Sequence, residues 1–280
     1  MEPQLLHTVS DGIATVVIHH PAKRNAMTAS MWRELPPLLG RLAVDPAVRA
    51  LVLTGEGGTF CAGADISSLR EPAQSRETRG EVPGEPRDEA RREVPPEAGG
   101  DPRPDDPRSL AVRAEETLAA FPKPTLAAVR GHCVGGGCQL AAACDLRFAE
   151  EGALFGVTPA RLGIVYPASS TRRLVSLVGP STAKYLLFSA ELIGTERALR
   201  TGLVDEVLPA GGLDRRVAEF GRVLVSRSRL TQAAAKESAS GGPDRTAYWT
   251  EQARSSGETE EGVAAFLERR EPRFGWTVGA

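Results

Sequence analysis

The stretch that decides the fold is GHCVGGGCQL at residues 131–140, a glycine-rich turn that leads into an alanine-rich segment ending at Asp145. A second small-residue turn, TFCAGADI at residues 59–66, follows a short β-branched run. Small residues let the backbone come close to a ligand, and a helix that starts at Gly136 or Gly137 leaves its first N–H groups free. Two such turns that face each other can hold a developing oxyanion between two backbone N–H donors.

Each turn also has a plainer interpretation, because glycines serve the close packing of a helix against a strand as well. A phosphate-binding loop is disfavoured, since GGGCQ lacks the Lys-Ser/Thr ending and does not fit the dinucleotide spacing. The four cysteines, Cys61, Cys133, Cys138 and Cys144, lie near the turns without metal-ligand spacing. We therefore expect them to have packing roles and expect no metal.

The pattern around the two turns is that of a layered α/β protein. Short β-branched runs predict strands at 13–19, 48–54, 125–129 and 145–149. Helix-like spacing of apolar residues predicts helices at 28–42, 110–121, 172–178, 181–188, 195–201, 213–226 and 246–270. Pro36 and Pro37 are expected to kink the first helix or to delay its start.

Residues 71–109 differ in composition from the rest of the chain. They hold eight of the 21 prolines and 18 charged side chains, and apart from alanine their only apolar side chains are Val82 and Val94. Such a segment cannot bury enough apolar surface to offset its ordering entropy, so we predict a disordered, charged surface loop. The domain organisation expected is a core at 1–195 that carries this loop, followed by a helical C-terminal region at 196–280.

The composition argues against several classes of protein. Lys and Arg number 34 against 36 Asp and Glu, so the chain has no basic surplus for nucleic acid. No apolar run approaches the roughly 20 residues that a bilayer span needs, and residues 1–12 lack the pattern of a signal peptide. Four cysteines in 280 residues are too few for a disulfide scaffold, and they fit a reduced, cytoplasmic setting.

Six segments, in order along the chain, carry a resemblance to a known family. They are HPAKRNAMT (20–28), GGTFCAGADI (57–66), FPKPTLAAVRGHCVGGGCQLAAACDLRFA (121–149), FGVTPARLGIVYP (155–167), LLFSAELIGTERALRTGLVDEVLP (186–209) and EGVAAFLERREPRF (261–274). In these segments the sequence resembles the crotonase family, also called the enoyl-CoA hydratase/isomerase family. The resemblance implies a crotonase (ClpP-like) spiral of ββα units whose helical C-terminal region drives assembly into a homotrimer or a dimer of trimers.

The resemblance also implies roles for individual residues. The backbone N–H groups of Ala64 and Gly136 correspond to the oxyanion hole that grips the thioester oxygen of an acyl-CoA. Coenzyme A is therefore expected as part of the substrate rather than as a prosthetic group. The residues expected along it are Lys23, Arg24, Ala62, Asp65, Ile66 and, from a neighbouring subunit, Arg269. Solvated surface charge is an equal alternative for the three basic residues, and Asp65 is interpreted as fixing its turn rather than as an acid or base.

The sequence departs from the family at the positions of its two catalytic glutamates. Gln139 stands where relatives have the glutamate of GGGCE, and Pro159 stands at the glutamate of FGxPE. An amide has no useful basicity at neutral pH, and proline has no side chain that transfers a proton. The addition of water by two glutamates is therefore disfavoured here.

An oxyanion hole without a carboxylate base is suited to decarboxylation of a malonyl-type thioester, because that step needs no proton abstraction. Tyr166 is the candidate for orienting the substrate carboxylate and for protonating the enolate. Its surroundings, TPARLGIVY at 158–166, resemble family members that decarboxylate methylmalonyl-CoA, although those relatives have a histidine where this chain has Ala64. A half-buried structural tyrosine with its hydroxyl bonded to backbone is the alternative for Tyr166.

The leading hypothesis is therefore an acyl-CoA lyase that forms an enolate, by decarboxylation or another carbon–carbon cleavage. Hydration or double-bond isomerisation is the alternative, and it needs atypical acid/base groups or a water-positioning role for Gln139. A family member that binds a CoA thioester without catalysis remains a third hypothesis, motivated by the loss of both glutamates. An acyl group on a carrier protein, or a free diketone, is also left open.

Overall fold

A computed structural model describes residues 2–65 and 107–277 of the chain, so most of the loop predicted at 71–109 lies outside the described residues. Nine strands occur in the described part: β1 Gln4–Ser10, β2 Ile13–His19, β3 Ala50–Gly55, β4 Thr125–Val129, β5 His132–Val134, β6 Leu146–Glu150, β7 Leu154–Gly156, β8 Ile193–Gly194 and β9 Glu206–Leu208. The strands predicted at 13–19 and 125–129 are confirmed. Those predicted at 48–54 and 145–149 are each shifted by one or two residues.

The described part contains ten α-helices, of which the last four follow β9 without an intervening strand. They are α1 Ala29–Val44, α2 Pro107–Ala119, α3 Gly136–Ala143, α4 Pro159–Leu162, α5 Ala168–Ser189, α6 Thr195–Arg200, α7 Leu213–Ser226, α8 Arg229–Ala239, α9 Thr246–Ser255 and α10 Glu258–Glu268. No helix in residues 2–65 and 107–277 is both long enough and apolar enough to cross a membrane.

The strands form two sheets. The larger has the order β1-β2-β3-β4-β6-β9, in which only the β1–β2 pair is antiparallel, and the smaller has the order β5-β7-β8. In β3, Leu51 and Leu53 face the main core with α1, whereas Val52 faces a second cluster with Leu213 and Phe220 of α7. Because helices cover both faces, this strand is apolar at consecutive positions rather than at alternate ones.

Helix α1 runs through Pro36 and Pro37 from Ala29 to Val44, so a start delayed beyond the prolines was wrong. A proline inside a helix costs about 3 kcal/mol or more, whereas burying one large apolar side chain gains about 1.5–3 kcal/mol. Six side chains of this helix are buried, namely Met31, Trp32, Leu35, Leu38, Leu39 and Leu42. Their combined burial exceeds the cost of the prolines, and the Thr28 side chain caps the helix by accepting from the N–H of Met31.

Other boundaries differ from the sequence predictions for local reasons. Helix α2 begins at Pro107, three residues before the helix predicted at 110–121, because proline is well tolerated in a first helical turn. The single helix predicted at 246–270 is two helices, since Gly257 between α9 and α10 has a φ of 68°. Helix α8 and strand β1 were not predicted, because each buries a single side chain, Leu230 and Leu5, and so lacks a clear apolar period.

Candidate active site

The two glycine-rich turns are tied together by backbone hydrogen bonds. The N–H of Cys61 donates to the carbonyl of His132 at 2.8 Å, and the N–H of Val134 donates to the carbonyl of Cys61 at 2.9 Å. The first turn is also anchored to the residues before α1, where the N–H of Met27 donates to the carbonyl of Gly63 at 2.8 Å. The turns follow neighbouring parallel strands, β3 and β4, so they meet at one edge of the sheet.

Two glycines make this close approach possible. A Cβ atom on Gly137 would lie 2.4 Å from the carbonyl oxygen of Cys61, which is far inside van der Waals contact. Gly63 has a φ of +109°, a conformation that side chains strongly disfavour. The close packing expected from the plainer interpretation is therefore present, and it holds the site together.

The backbone nitrogens of Ala64 and Gly136 border the same space between the two turns. The position of a Cβ on Gly136 lies 3.6 Å from the nitrogen of Ala64, and that of a Cβ on Gly63 lies 3.6 Å from the nitrogen of Gly136. Neither N–H donates a hydrogen bond to any residue that the structure describes. Gly136 is the first residue of α3, so the positive end of the helix dipole adds to the attraction for negative charge. This geometry fits an oxyanion hole.

Trp32 forms one wall of this space, which the sequence did not indicate. Its Cζ2 atom lies 2.9 Å from the position of a Cβ on Gly136, so the glycine leaves room for the indole ring. The side chain is buried, and its Nε1–H has no partner among the described residues. The apolar spacing of α1 placed Trp32 in the core, but nothing in that spacing placed it against residue 136.

Gln139 lies one turn after Gly136 on α3, and its side chain belongs to a hydrogen-bond chain. Its Nε2 donates to Oγ of Ser170 at 2.9 Å, and this Oγ donates to Oε2 of Glu115 at 2.6 Å. Glu115 lies on α2 and is only 1% exposed, and Ser170 lies in the first turn of α5. Three helices therefore meet at the position where relatives of the crotonase type have a glutamate.

The carboxylate of Glu115 has a cationic partner at its other oxygen. The guanidinium of Arg173 donates to Oε1 of Glu115 and also to both carboxylate oxygens of Glu116 at 3.1 Å. Burial raises the pKa of Glu115, and the bonds from Ser170 and Arg173 act in the opposite direction. Glu115 was not among the residues expected at the site, because a glutamate in an amphipathic helix carries no sequence signal for burial.

The position of the second missing glutamate also borders the site. Oγ1 of Thr158 lies 3.9 Å from the position of a Cβ on Gly135, and Pro159 begins the short helix α4. Pro159 is buried and carries no group that transfers a proton. The side-chain chemistry available at this point is the hydroxyl of Thr158.

Tyr166 precedes α5 and packs against the main core. Its hydroxyl is buried and has no hydrogen-bond partner among the described residues, so the expected alternative of a backbone-bonded hydroxyl was wrong. Burial, together with the nearby Cys138, Glu115 and Cys133, raises the pKa of Tyr166 well above its usual value. The phenol is neutral at physiological pH and retains its O–H as a donor.

The residues expected along coenzyme A fall into two groups. Lys23 donates to both carboxylate oxygens of Asp65, at 2.8 and 3.1 Å, and the N–H of Ala62 donates to the carbonyl of Arg24 at 3.0 Å. These four residues are thus adjacent, and the pairing with Lys23 agrees with a turn-fixing role for Asp65. Ile66 lies outside the described residues.

Arg269 belongs to a different region, at the C-terminal end of α10. Its side chain is exposed, and no contact between it and the two turns is recorded within the described chain. Its expected contact with coenzyme A involves a neighbouring subunit, so that role stays a prediction.

Asn25 is a structural residue of the site that the sequence analysis did not single out. Its Nδ2 donates to the carbonyls of Glu56 and Thr59 at 2.9 and 2.6 Å, and its Oδ1 accepts from the N–H of His20 at 3.0 Å. Asn25 therefore fastens the segment that carries Lys23 and Arg24 to the turn after β3.

The four cysteines near the turns are buried and unbridged. Burial raises the pKa of Cys61 and of Cys144 to about 12, so these thiols stay protonated and are poor nucleophiles. Packing roles fit them. No group of metal-ligating side chains occurs within residues 2–65 and 107–277.

A family model described as enoyl-CoA hydratase/isomerase matches residues 8–85 and 105–276. The chain belongs to the enoyl-CoA hydratase/isomerase family. The unmatched residues 86–104 fall within the segment of unusual composition at 71–109. The family, its fold and the resemblance stated from the six sequence segments are thereby confirmed.

Individual relatives in this family catalyse different reactions according to their names. The chain is 32% identical over 271 residues to a crotonyl-CoA hydratase of Syntrophomonas wolfei, with 94% of each chain covered. It is 29% identical over 268 residues to a peroxisomal Delta(3,5)-Delta(2,4)-dienoyl-CoA isomerase of Arabidopsis thaliana, covering 92% of this chain and 91% of the relative. A crystal structure described as an enoyl-CoA hydratase/isomerase family member has a TM-score of 0.83 at 35% identity, covering 100% of this chain and 99% of that one. Family membership therefore leaves the reaction to be argued from the site.

Proposed function

We propose that this chain is an acyl-CoA lyase that cleaves a carbon–carbon bond, by decarboxylation of a malonyl-type thioester. The observation that carries the proposal is the combination of two free N–H groups, at Ala64 and Gly136, with the absence of a carboxylate at positions 139 and 159. In the described part of the chain, these positions can stabilise an enolate but offer no carboxylate to remove a proton from carbon.

The reaction divides into two steps. The bond between Cα and the carboxyl carbon breaks, CO₂ leaves, and the electron pair of that bond forms the enolate. Its negative charge develops on the thioester oxygen, where the two N–H groups stabilise it. A proton then adds to Cα, and we assign its delivery to the neutral hydroxyl of Tyr166. Because this hydroxyl is buried, the resulting phenolate takes a proton back from water that enters as the product leaves.

The neutral side chain at position 139 supports this reaction. The substrate carries its own carboxylate beside the thioester, and a glutamate at this position would repel it by about 1–4 kcal/mol at a separation of 4 Å. Gln139 removes the repulsion and offers N–H donors instead. The carboxylate of Glu115 stands behind Ser170 and is paired with Arg173, which reduces its effect on the substrate.

Hydration or isomerisation is the second candidate, because the relatives of this chain include proteins named as a hydratase and as an isomerase. In that reaction the carbonyl oxygen of the Gln139 amide would hold the attacking water. Within residues 2–65 and 107–277, positions 139 and 159 supply no general base for that water, and such a base contributes roughly 10²–10⁴-fold to the rate. We therefore rank it below decarboxylation.

The test is a mass-spectrometric screen of the purified protein with malonyl-, methylmalonyl-, crotonyl- and branched enoyl-CoA. Loss of CO₂ from a malonyl-type thioester is the expected product change. Addition of water to crotonyl-CoA without any loss of CO₂ would establish the second candidate instead. Binding of all four thioesters with no turnover would show a non-catalytic member of the family.

A further inference from the structure

Side chains from α2, α5 and α3 form a hydrogen-bond chain, Glu115–Ser170–Gln139. This chain fixes the orientation of the Gln139 amide as well as its position. An ionised carboxylate only accepts hydrogen bonds, so the Ser170 hydroxyl must point its hydrogen at Glu115. Oγ of Ser170 is then left as an acceptor toward Gln139. The amide can satisfy it only by presenting Nε2, which is the contact observed at 2.9 Å.

We infer that Glu115 and Ser170 are positioning residues, which lock the Gln139 amide with its second N–H available to the substrate carboxylate. The inference rests on the proposed function, since it gives the amide a substrate that carries a carboxylate. Nε2 has two hydrogens, of which Ser170 takes one. Gln139 is only partly buried, and its Oε1 forms no hydrogen bond with the described residues, so we assign the second N–H of Nε2 to the site.

The orientation of the Gln139 amide depends on the charge of Glu115. Once protonated, this carboxyl can donate to Ser170, whose hydroxyl is then free to donate to Oε1 of a rotated Gln139 amide. The charged and titratable groups that face Glu115 are Arg173 from α5, Glu116 from its own helix and Tyr166 before α5. Burial raises the pKa of Glu115, so the Gln139 amide should lose its fixed orientation at a less acidic pH than it would beside an exposed glutamate.

The chain also offers a matched control. Glu116 is the neighbouring residue, it has the same charge, and it bonds to the same arginine, but no hydrogen bond joins it to Ser170 among the described residues. Glu115→Gln and Glu116→Gln therefore remove equal charge, and only the first removes the directional constraint. Likewise Ser170→Ala removes the hydroxyl, whereas Ser170→Thr keeps it.

The experiment measures binding of two coenzyme A thioethers to each full-length variant. One is an analogue of malonyl-CoA in which a methylene group replaces the thioester carbonyl, so that no enolate can form and CO₂ cannot be lost, and the other is the same type of thioether without the carboxylate. The wild-type protein is expected to prefer the carboxylate analogue. Glu115→Gln and Ser170→Ala should each reduce that preference by about tenfold, because a misplaced donor loses most of its hydrogen bond. Glu116→Gln and Ser170→Thr should keep it.

Two further measurements, the pH dependence of this preference and the release of CO₂, distinguish failure of the inference from failure of the proposed function. In the wild-type protein the preference should weaken at acidic pH as Glu115 becomes protonated, and Glu115→Gln should abolish that pH dependence. An unchanged preference in both Glu115→Gln and Ser170→Ala would overturn the inference. Failure of the proposed function has a different signature, because the wild-type protein would then release no CO₂ from any malonyl-type thioester, whatever the analogues show.

Discussion

The two turns differ from positions 139 and 159 in which part of the residue matters. The turns depend on the backbone, and the two positions depend on the side chain. In the turns, the groups that we expect to act are the backbone N–H groups of Ala64 and Gly136, which any residue except proline supplies, and the glycines are needed only for space and φ. At positions 139 and 159 the chemistry depends entirely on the side chain, and here it is an amide and a proline. A site that we propose to stabilise an enolate can thus keep its backbone shape while its acid/base side chains differ.

The largest effect is expected from Gly136→Pro compared with Gly136→Ala. Both substitutions place a Cβ 2.9 Å from Trp32, so they share the steric cost, and only proline lacks the N–H. Loss of one oxyanion donor lowers kcat by about 10²–10³-fold, so the proline variant should fall that far below the alanine variant. Rates of thioester turnover with circular dichroism as the folding control provide the comparison. Equal rates for the two variants would show that the N–H of Gly136 does not act in an oxyanion hole.

A smaller effect is expected at Tyr166, where the reactive group is a side chain. Tyr166→Phe keeps the ring in the core and deletes a hydroxyl that has no partner among the described residues. Folding stability should change little, while decarboxylation should slow by more than about tenfold, because the proton donor is lost. Thermal unfolding and single-turnover rates measure the two quantities. Unchanged turnover would make the tyrosine structural.

The smallest effect concerns the surface of the coenzyme A path. Lys23 is partly exposed and pairs with Asp65, and exposed pairs contribute about 0–1 kcal/mol to stability. Lys23→Gln should therefore leave the melting temperature nearly unchanged and kcat intact, and should raise KM several-fold if the lysine contacts a phosphate of coenzyme A. Arg33→Gln, on the exposed side of α1, serves as the control for general charge loss. An unchanged KM would show that Lys23 does not contact coenzyme A and only fixes its turn.

Much of the fold was predictable because the strands at 13–19 and 125–129 and the glycine turns have strong local signals. The turns in particular require small residues for geometric reasons, so Gly63, Gly136 and Gly137 could be recognised without a structure. The helix through Pro36 and Pro37 could not, since tertiary burial of its apolar face outweighs the local cost of proline.

The hydrogen-bond chain behind Gln139 could not be predicted either. Glu115 lies 55 residues from Ser170 and 58 from Arg173, so no local spacing connects them. A glutamate in an amphipathic helix is usually a solvated residue, and only packing of α2 against α3 and α5 reveals it as buried. Trp32 is a similar case, because its apolar spacing indicates the core but not the contact with Gly136.

The central claim is that the enolate arises by loss of CO₂ and not by removal of a proton from carbon. The most direct test is incubation of the protein in D₂O with methylmalonyl-CoA and, separately, with propionyl-CoA. We predict monodeuterated propionyl-CoA from the first, and exchange of the α-hydrogens of the second that is slower by about a hundredfold or more, since the site lacks a positioned base. Exchange of propionyl-CoA as fast as decarboxylation, or no loss of CO₂ at all, would contradict the account.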